Sequence, residues 1–329
     1  MNSPQDNDAN PSGRRHFLQT MCAAAAMGAG AGLAGCAQQP VTRETTVKFS
    51  RGTQPAKTRA PANATDCHHH IYDARFPVAP NATLRPADAL VSDYQDLQHR
   101  IGTTRHVVVQ PSTYGTDNRL LVESIAAFGL KTCRGVAVVN PSVTDAELKH
   151  LHESGVRGIR FNLAPPGTTT LDMVRPLAGR IAPMGWHIQV NAPAPALLAA
   201  REVWSNLPVQ VVFDHLGHVP QPRTANDPTF AMLRELVQQG KAYVKLSGFY
   251  IDSKVGHPSY ADSVQVAAIY AKETPERMLW GSDWPHPTEG YDKKPDDAVL
   301  FDLLAESVPD EAVRTRILVD NPAKLYQFS

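Results

Sequence analysis

What this 329-residue chain lacks narrows its function first. It has no surplus of charge: 32 basic residues balance 32 acidic ones, for a formal net charge of zero. Strong nucleic-acid binders work through a basic surface that displaces counterions, so that class is excluded, and no run of like charge marks a solvating or membrane-binding tail. Cysteine is scarce, with 4 residues, too few for a disulfide framework in a chain of this length. Apolar residues make up 42 %, enough for a core, yet no continuous run is long enough to cross a bilayer. There is no G-x-G-x-x-G, Walker loop, G-x-S-x-G elbow or C-x-x-C pair, so the chemistries those motifs carry have no foothold in this chain. No internal repeat is apparent.

The amino-terminal stretch reads as an address. A polar opening is followed by Ser12-Gly13-Arg14-Arg15-His16-Phe17-Leu18 and then by an Ala/Gly-rich apolar run from Met21 to Gly35. A positive segment, a short apolar segment and small residues at its end form an export signal, and the paired arginines before Phe-Leu resemble the twin-arginine type. Leu33-Ala34-Gly35-Cys36 resembles a bacterial lipoprotein box. The expectation is an exported bacterial protein over residues 1–36 of signal, periplasmic and lipid-anchored through Cys36. Simple cleavage near Ala34 or Ala37 is the alternative. Residues 37–61, rich in Thr, Pro and Gln without hydrophobic period, are expected to be a flexible linker. The thiols left beyond Cys36, Cys67 and Cys133, are expected buried and free in separate strands.

Residues 62–329 alternate short apolar runs with amphipathic stretches. The runs are Thr65–Ile71, His106–Gln110, Gly135–Asn140, Gly158–Asn162, His187–Asn191, Val209–His215, Tyr243–Ser247 and Met278–Asp283. Between them, Asp145–Ser154, Leu171–Met184, Phe230–Gln239 and Tyr260–Lys272 place apolar residues at helical spacing, and a last helix is expected near Pro309–Val319. Strand alternating with helix predicts a parallel sheet, and eight units over 268 residues (329 − 61) predict a single catalytic domain with the (β/α)8 TIM-barrel fold.

Each apolar run also ends in a polar residue, and the carboxyl ends of the strands ring the active site in this fold. Asn, Ser and Asp at such ends serve equally as turn formers and helix caps, whereas histidine has no such preference. In Asp66-Cys67-His68-His69-His70, strand alternation points His68 and His70 the same way and His69 the other. His215 ends the sixth run and Asp283 the eighth. Closure brings the first and last strands together, so Asp283 should meet His68, His70 and His215 across the mouth. Two chemistries suit that set. The four groups could hold one divalent metal, zinc for example, and activate its water. Alternatively, Asp283 takes a proton from water while the histidines hydrogen-bond the developing oxyanion. His69 reads as structural, and His99, His150 and His152 as helix-surface residues.

The first-strand His motif, Val107-Val108-Val109-Gln110-Pro111-Ser112, Val156-Arg157-Gly158-Ile159-Arg160-Phe161-Asn162, Asp214-His215-Leu216-Gly217 and Leu279-Trp280-Gly281-Ser282-Asp283-Trp284-Pro285-His286 together resemble the amidohydrolase superfamily. The branch is the one holding pyrone-dicarboxylate lactonase and galactarolactone isomerase. The resemblance implies a hydrolase that attacks a small lactone or related carboxylic-acid-derived carbonyl, with Asp283 as water-activating base and His68, His70 and His215 polarising the carbonyl. It also implies that no metal is required. A binuclear centre is disfavoured by Asn162 and Asn191 at the fourth and fifth strand ends, while a mononuclear site on the three histidines and Asp283 stays open. Arg160 matches a carboxylate-binding arginine, and Ser112 a substrate contact. Asn191, Tyr250 and His286 complete the expected substrate shell, His286 either touching substrate or orienting Asp283. The family's further arginines are replaced here by Pro166, His218 and the Phe249-Tyr250 region, so a monocarboxylated or neutral lactone is expected rather than a dicarboxylate. A zinc-dependent decarboxylase, a lactone isomerase and a non-catalytic ligand-binding protein are the alternatives. No membrane contact is expected beyond the lipid, and the sequence does not fix an oligomeric state.

Overall fold

The computed structural model describes residues 46–164, 167–222 and 227–329. The export signal, Cys36, residues 37–45 and Pro166 lie outside these. Among the described residues eight strands lie side by side in chain order, all parallel. They are β1 (Thr65–His69), β2 (Arg105–Val109), β3 (Cys133–Ala137), β4 (Val156–Asn162), β5 (His187–Asn191), β6 (Val211–Phe213), β7 (Ala242–Leu246) and β8 (Met278–Trp280). Helices follow the strands on the outside: α1 (Val91–Ile101), α2 (Arg119–Phe128), α3 (Asp145–Glu153), α4 (Val174–Ile181), α5 (Ala194–Ala199), α6 (Arg201–Ser205), α7 (Pro228–Gln238), α8 (Ala261–Glu273), α9 (Asp297–Ser307), α10 (Glu311–Thr315) and α11 (Asn321–Tyr326). This is the expected (β/α)8 barrel.

Local chemistry accounts for several boundaries. Thr144 and Glu147 form a reciprocal capping box that starts α3, whose Leu148 and Leu151 face the core while its charged face stays in water. Asp227 caps α7 ahead of Pro228, which has no N–H to lose at that position. Cys67 and Cys133 are buried free thiols on β1 and β3.

Closure is achieved beyond the last strand rather than within it. Asp283 N donates to His68 O at 2.8 Å and His70 N to Trp284 O at 2.9 Å. Gly281 makes this approach feasible, because a Cβ there would fall 2.6 Å from His68 Cβ and 2.9 Å from its backbone N. A register shift in the β1–β2 pairing between Asp66 and His69 lets Cys67 join the apolar floor with Val107, Val109, Val212 and Leu279, while His68 and His70 face the mouth.

The linker expectation is corrected over residues 46–61. This segment lies along the barrel wall as a strap, because Val47 and Phe49 supply apolar anchors and the barrel supplies partners for its backbone. Trp284 Nε1 donates to Lys48 O at 2.7 Å, Arg100 donates to the carbonyls of Arg51 and Gln54, and Asp302 accepts from Lys57 N and Thr58 N. A composition rich in Thr and Pro hides these anchors, since two apolar side chains show no period.

Candidate active site

The site is built on strand ends whose last residues leave the sheet. β6 ends at Phe213, and His215, Leu216, Gly217 and His218 then all take positive φ, at 50°, 56°, 68° and 49°. Asp283 likewise has φ 63°, three residues after β8 ends. Left-handed backbone is costly for non-glycine residues and concentrates at functional sites. Here it turns His215 and Asp283 inward. Gly248, just after β7, leaves room for the ring, since a Cβ would sit 2.8 Å from His215 Nδ1.

Four side chains converge as a result. His68 Nε2, His70 Nε2 and His215 Nε2 lie 3.5, 3.6 and 3.9 Å from Asp283 Oδ1, and the first two imidazole nitrogens are 3.3 Å apart. All four residues are buried. Their outer atoms are anchored. His70 Nδ1 faces Val109 O at 2.7 Å; a carbonyl only accepts, so Nδ1 carries the hydrogen and a neutral ring presents its Nε2 lone pair to the centre. His215 Nδ1 meets Ser247 Oγ at 3.1 Å. Tyr250 donates to Asp283 Oδ2 at 2.6 Å, which leaves Oδ1 to face the histidines.

Beneath this centre lies a charged layer in place of the usual branched apolar residues. Asp214, fully buried on the step after β6, lies 3.2 Å from His68 Nδ1, 3.4 Å from Lys245 Nζ, 3.4 Å from Arg160 Nε and 3.1 Å from Gln189 Nε2. Lys245 also donates to Gln189 Oε1 at 2.8 Å and lies 3.2 Å from His68 Nδ1. Burial and the Lys245 charge hold His68 well below the usual imidazole range, and burial brings His215 down to about 4. Burial alone would raise both carboxyls. Lys245 and His68 outweigh it at Asp214, and His215, His70 and His68 outweigh it at Asp283, so both stay ionised. The centre therefore presents a carboxylate at Asp283 at neutral pH.

The expected substrate shell divides. Arg160 and Ser112 line one small cavity of about 30 Å³ together with Asn162 and Thr169, yet Arg160 also turns its Nε to Asp214. Asn191 belongs to a belt across the mouth: its Nδ2 donates to Asn162 Oδ1 at 3.1 Å and its Oδ1 accepts from His218 Nε2 at 2.7 Å, while His218 Nδ1 meets Asp252 at 2.9 Å. His286 stands behind Tyr250 at 3.3 Å and is fully buried. His69 faces outward, stacked on Tyr94 at 3.5 Å between ring centroids and bonded to His106 at 2.8 Å. His152, expected as a helix-surface residue, is half-buried and accepts from Trp186 Nε1.

Sequence reasoning places Lys245 only in a stretch that could wall the pocket and Asp214 only within a motif, and it gives Gln189 no role. For Gln189 and Lys245 parity was the signal: Gln189 shares a face with Asn191, and Lys245 with Ser247, inside otherwise apolar runs.

Comparison with known proteins agrees with this architecture. A family model described as Amidohydrolase matches residues 65–328. A "2-pyrone-4,6-dicarbaxylate hydrolase" of Comamonas testosteroni is 36 % identical over 280 residues, covering 82 % of this chain and 91 % of its own. A 4-sulfomuconolactone hydrolase of Rhizobium radiobacter is 32 % identical, covering 90 % and 97 %. A D-galactarolactone isomerase of Agrobacterium fabrum is 30 % identical, covering 86 % and 97 %. Parallel barrel, strand-end histidines and terminal aspartate thus define an enzyme scaffold of one class, and this chain belongs to the amidohydrolase family.

Proposed function

We propose that this protein hydrolyses a small lactone. The observation that carries the reading is the meeting of one carboxylate oxygen and three imidazole nitrogens, all anchored from behind, at the mouth of the barrel. Asp283 Oδ1 accepts a proton from water, whose oxygen adds to the lactone carbonyl. The ring C–O bond then breaks, and the proton passes to the departing ring oxygen to give the open hydroxy acid. Tyr250 keeps the second Asp283 oxygen occupied. Arg160, with Ser112 and Asn162 beside it, is placed to orient an acidic or hydroxylated substituent. The relatives named as lactone hydrolases support the reaction class.

The donor set also fits one divalent cation. A tetrahedral zinc with ligand bonds of about 2.0–2.2 Å separates its ligand atoms by roughly 3.3–3.6 Å, close to the 3.3–3.9 Å found among these donors. His68, His70 and Asp283, whose ligand atoms all lie within 4.8 Å of one another, would hold it with His215 beside them, and when bound it would supply a Lewis acid for the carbonyl. The resemblance instead implies turnover without metal, and metal analysis with chelation separates the two. Stoichiometric zinc whose removal abolishes turnover supports the cation. Full activity in metal-free protein supports the hydrogen-bonding alternative.

The proposed reaction is tested on a lactone panel with product identification. An open hydroxy acid as sole product supports it. A rearranged lactone would assign the chain to the isomerase chemistry of its third relative, and released carbon dioxide would make it a lyase. Turnover of pyrone dicarboxylate is expected to be poor, since His218 is engaged with Asp252 and Asn191, and Phe249 is buried, at the positions that would match the family's further arginines.

A further inference from the structure

We infer that Asp297, through His286 and Tyr250, is a positioning residue for Asp283; the inference rests on Asp283 acting as the base of the proposed hydrolysis. The four side chains form one line, with Asp283, His286 and Asp297 buried and Tyr250 half-buried. Tyr250 Oη lies 2.6 Å from Asp283 Oδ2, His286 Nδ1 lies 3.3 Å from Tyr250 Oη, and His286 Nε2 lies 3.1 Å from Asp297 Oδ2. His286 and Asp297 are both fully buried.

Nothing in packing alone requires this arrangement. Burying a carboxylate and an imidazole is costly unless each is partnered, and Asp297 Oδ1 has no hydrogen-bond partner among the described residues. The side-chain hydrogen bond that Asp297 makes there is to His286. A phenol has a single hydrogen, and the shorter contact commits it to Asp283. The Tyr250 oxygen is then an acceptor, satisfied by Nδ1–H of a His286 that carries both ring hydrogens, its Nε2–H donating to the Asp297 carboxylate. Asp297 thereby sets the ring's orientation, the ring sets the phenol, and the phenol pins one carboxylate oxygen so that Oδ1 keeps its aim at the three histidines.

The far end of the line is held by the strap, since Asp297 N donates to Ser50 Oγ at 3.0 Å and Arg100 pairs with the neighbouring Asp296 at 2.6 Å. His286 itself has φ 55°, so its ring is delivered by strained backbone as Asp283 is.

The test combines structure and kinetics. In Asp297→Asn we expect the Tyr250–Asp283 contact to lengthen beyond about 3.2 Å, the outer limit of a good hydrogen bond, in a crystal structure of the variant. On the lactone that the wild type opens best we expect kcat to fall about tenfold or more, with KM within about twofold. In the Tyr250→Phe background the same substitution should cost less than about twofold, because the line is already cut. An unchanged 2.6 Å contact, or a full and additive loss in the Tyr250→Phe background, overturns the inference. Should Asp297→Asn fail to fold, Ser50→Ala, which loosens the same anchor, must lower kcat in the wild type and not in Tyr250→Phe. If no lactone is turned over by the wild type, the hydrolysis reading fails, while the crystallographic distance still decides the positioning role.

Discussion

Replacing Gly281 by alanine tests whether the catalytic geometry depends on how closely the last strand meets the first. An added Cβ would lie 2.6 Å from His68 Cβ, and ordinary contact begins at 3.4 Å, so the two backbones must separate by about 0.8 Å (3.4 − 2.6). The second clash, 2.9 Å to His68 N, is with backbone and cannot be relieved by rotating a side chain. The strain costs roughly 1–3 kcal/mol, which a domain of this size survives. The kinetic cost is larger. Asp283 sits two residues beyond Gly281 and holds Oδ1 at 3.5 and 3.6 Å from His68 and His70. A displacement approaching 1 Å is worth about 100-fold in rate. The assay pairs urea unfolding with kcat/KM on the best lactone. Gly179→Ala serves as control: it is a helical position on α4 with nothing among the described residues within 4 Å of an added Cβ, and its expected effect is neutral to stabilising. Gly281→Ala with activity within about threefold of wild type would show that the β1–β8 closure does not set the geometry, and the reasoning would fail.

Asp214→Asn leaves Lys245 and Arg160 facing each other in the barrel without their shared anion, and loss of one partner of a buried ion pair costs about 3–5 kcal/mol. A urea midpoint unchanged from wild type would mean that the charged layer is not holding the lumen together. Acid sensitivity is expected from His187 on the barrel floor, whose pKa burial lowers to about 3. A depressed histidine pKa means the unfolded state takes up the extra proton, so stability is complete above pH 6.5 and declines as pH falls from there towards 3. Between pH 7 and 5 this one residue accounts for about 2 kcal/mol, and His187→Phe should remove that much of the loss; an unaltered pH dependence of the unfolding midpoint would count against it.

The barrel was legible because its signals are periodic. Branched apolar runs ending in polar residues, spaced by amphipathic stretches, specify strands and helices without tertiary information, and all eight strands fall within or beside the expected runs. The nearness of His68, His70, His215 and Asp283 was legible as topology, since closure of a parallel barrel must join its first and last strands. Their delivery was not. The sixth run was expected to continue to His215 and the eighth to Asp283, whereas the sheet ends at Phe213 and Trp280 and left-handed backbone supplies the rest. Histidine and aspartate are only modestly enriched at positive φ and leucine is not, so the residue types do not place these turns, and it is tertiary packing that offsets the strain. Asp214, Lys245 and Gln189 were missed for a related reason: a charge in an apolar strand reads as an exception until its counter-charge is placed on a neighbouring strand. The line from Asp297 to Asp283 joins the segment after β7 to the one running from β8 into α9 and has no sequence period at all.

The central claim is that the Asp283 carboxylate performs the chemistry at this convergence of histidines. Its most direct measurement is the initial rate of lactone opening by Asp283→Asn, an isosteric change that keeps a partner for Tyr250 while removing the base. A loss of about 100-fold or more, with an unfolding midpoint close to wild type, is the predicted result. Opening at near wild-type rate by a well-folded Asp283→Asn protein would contradict the account.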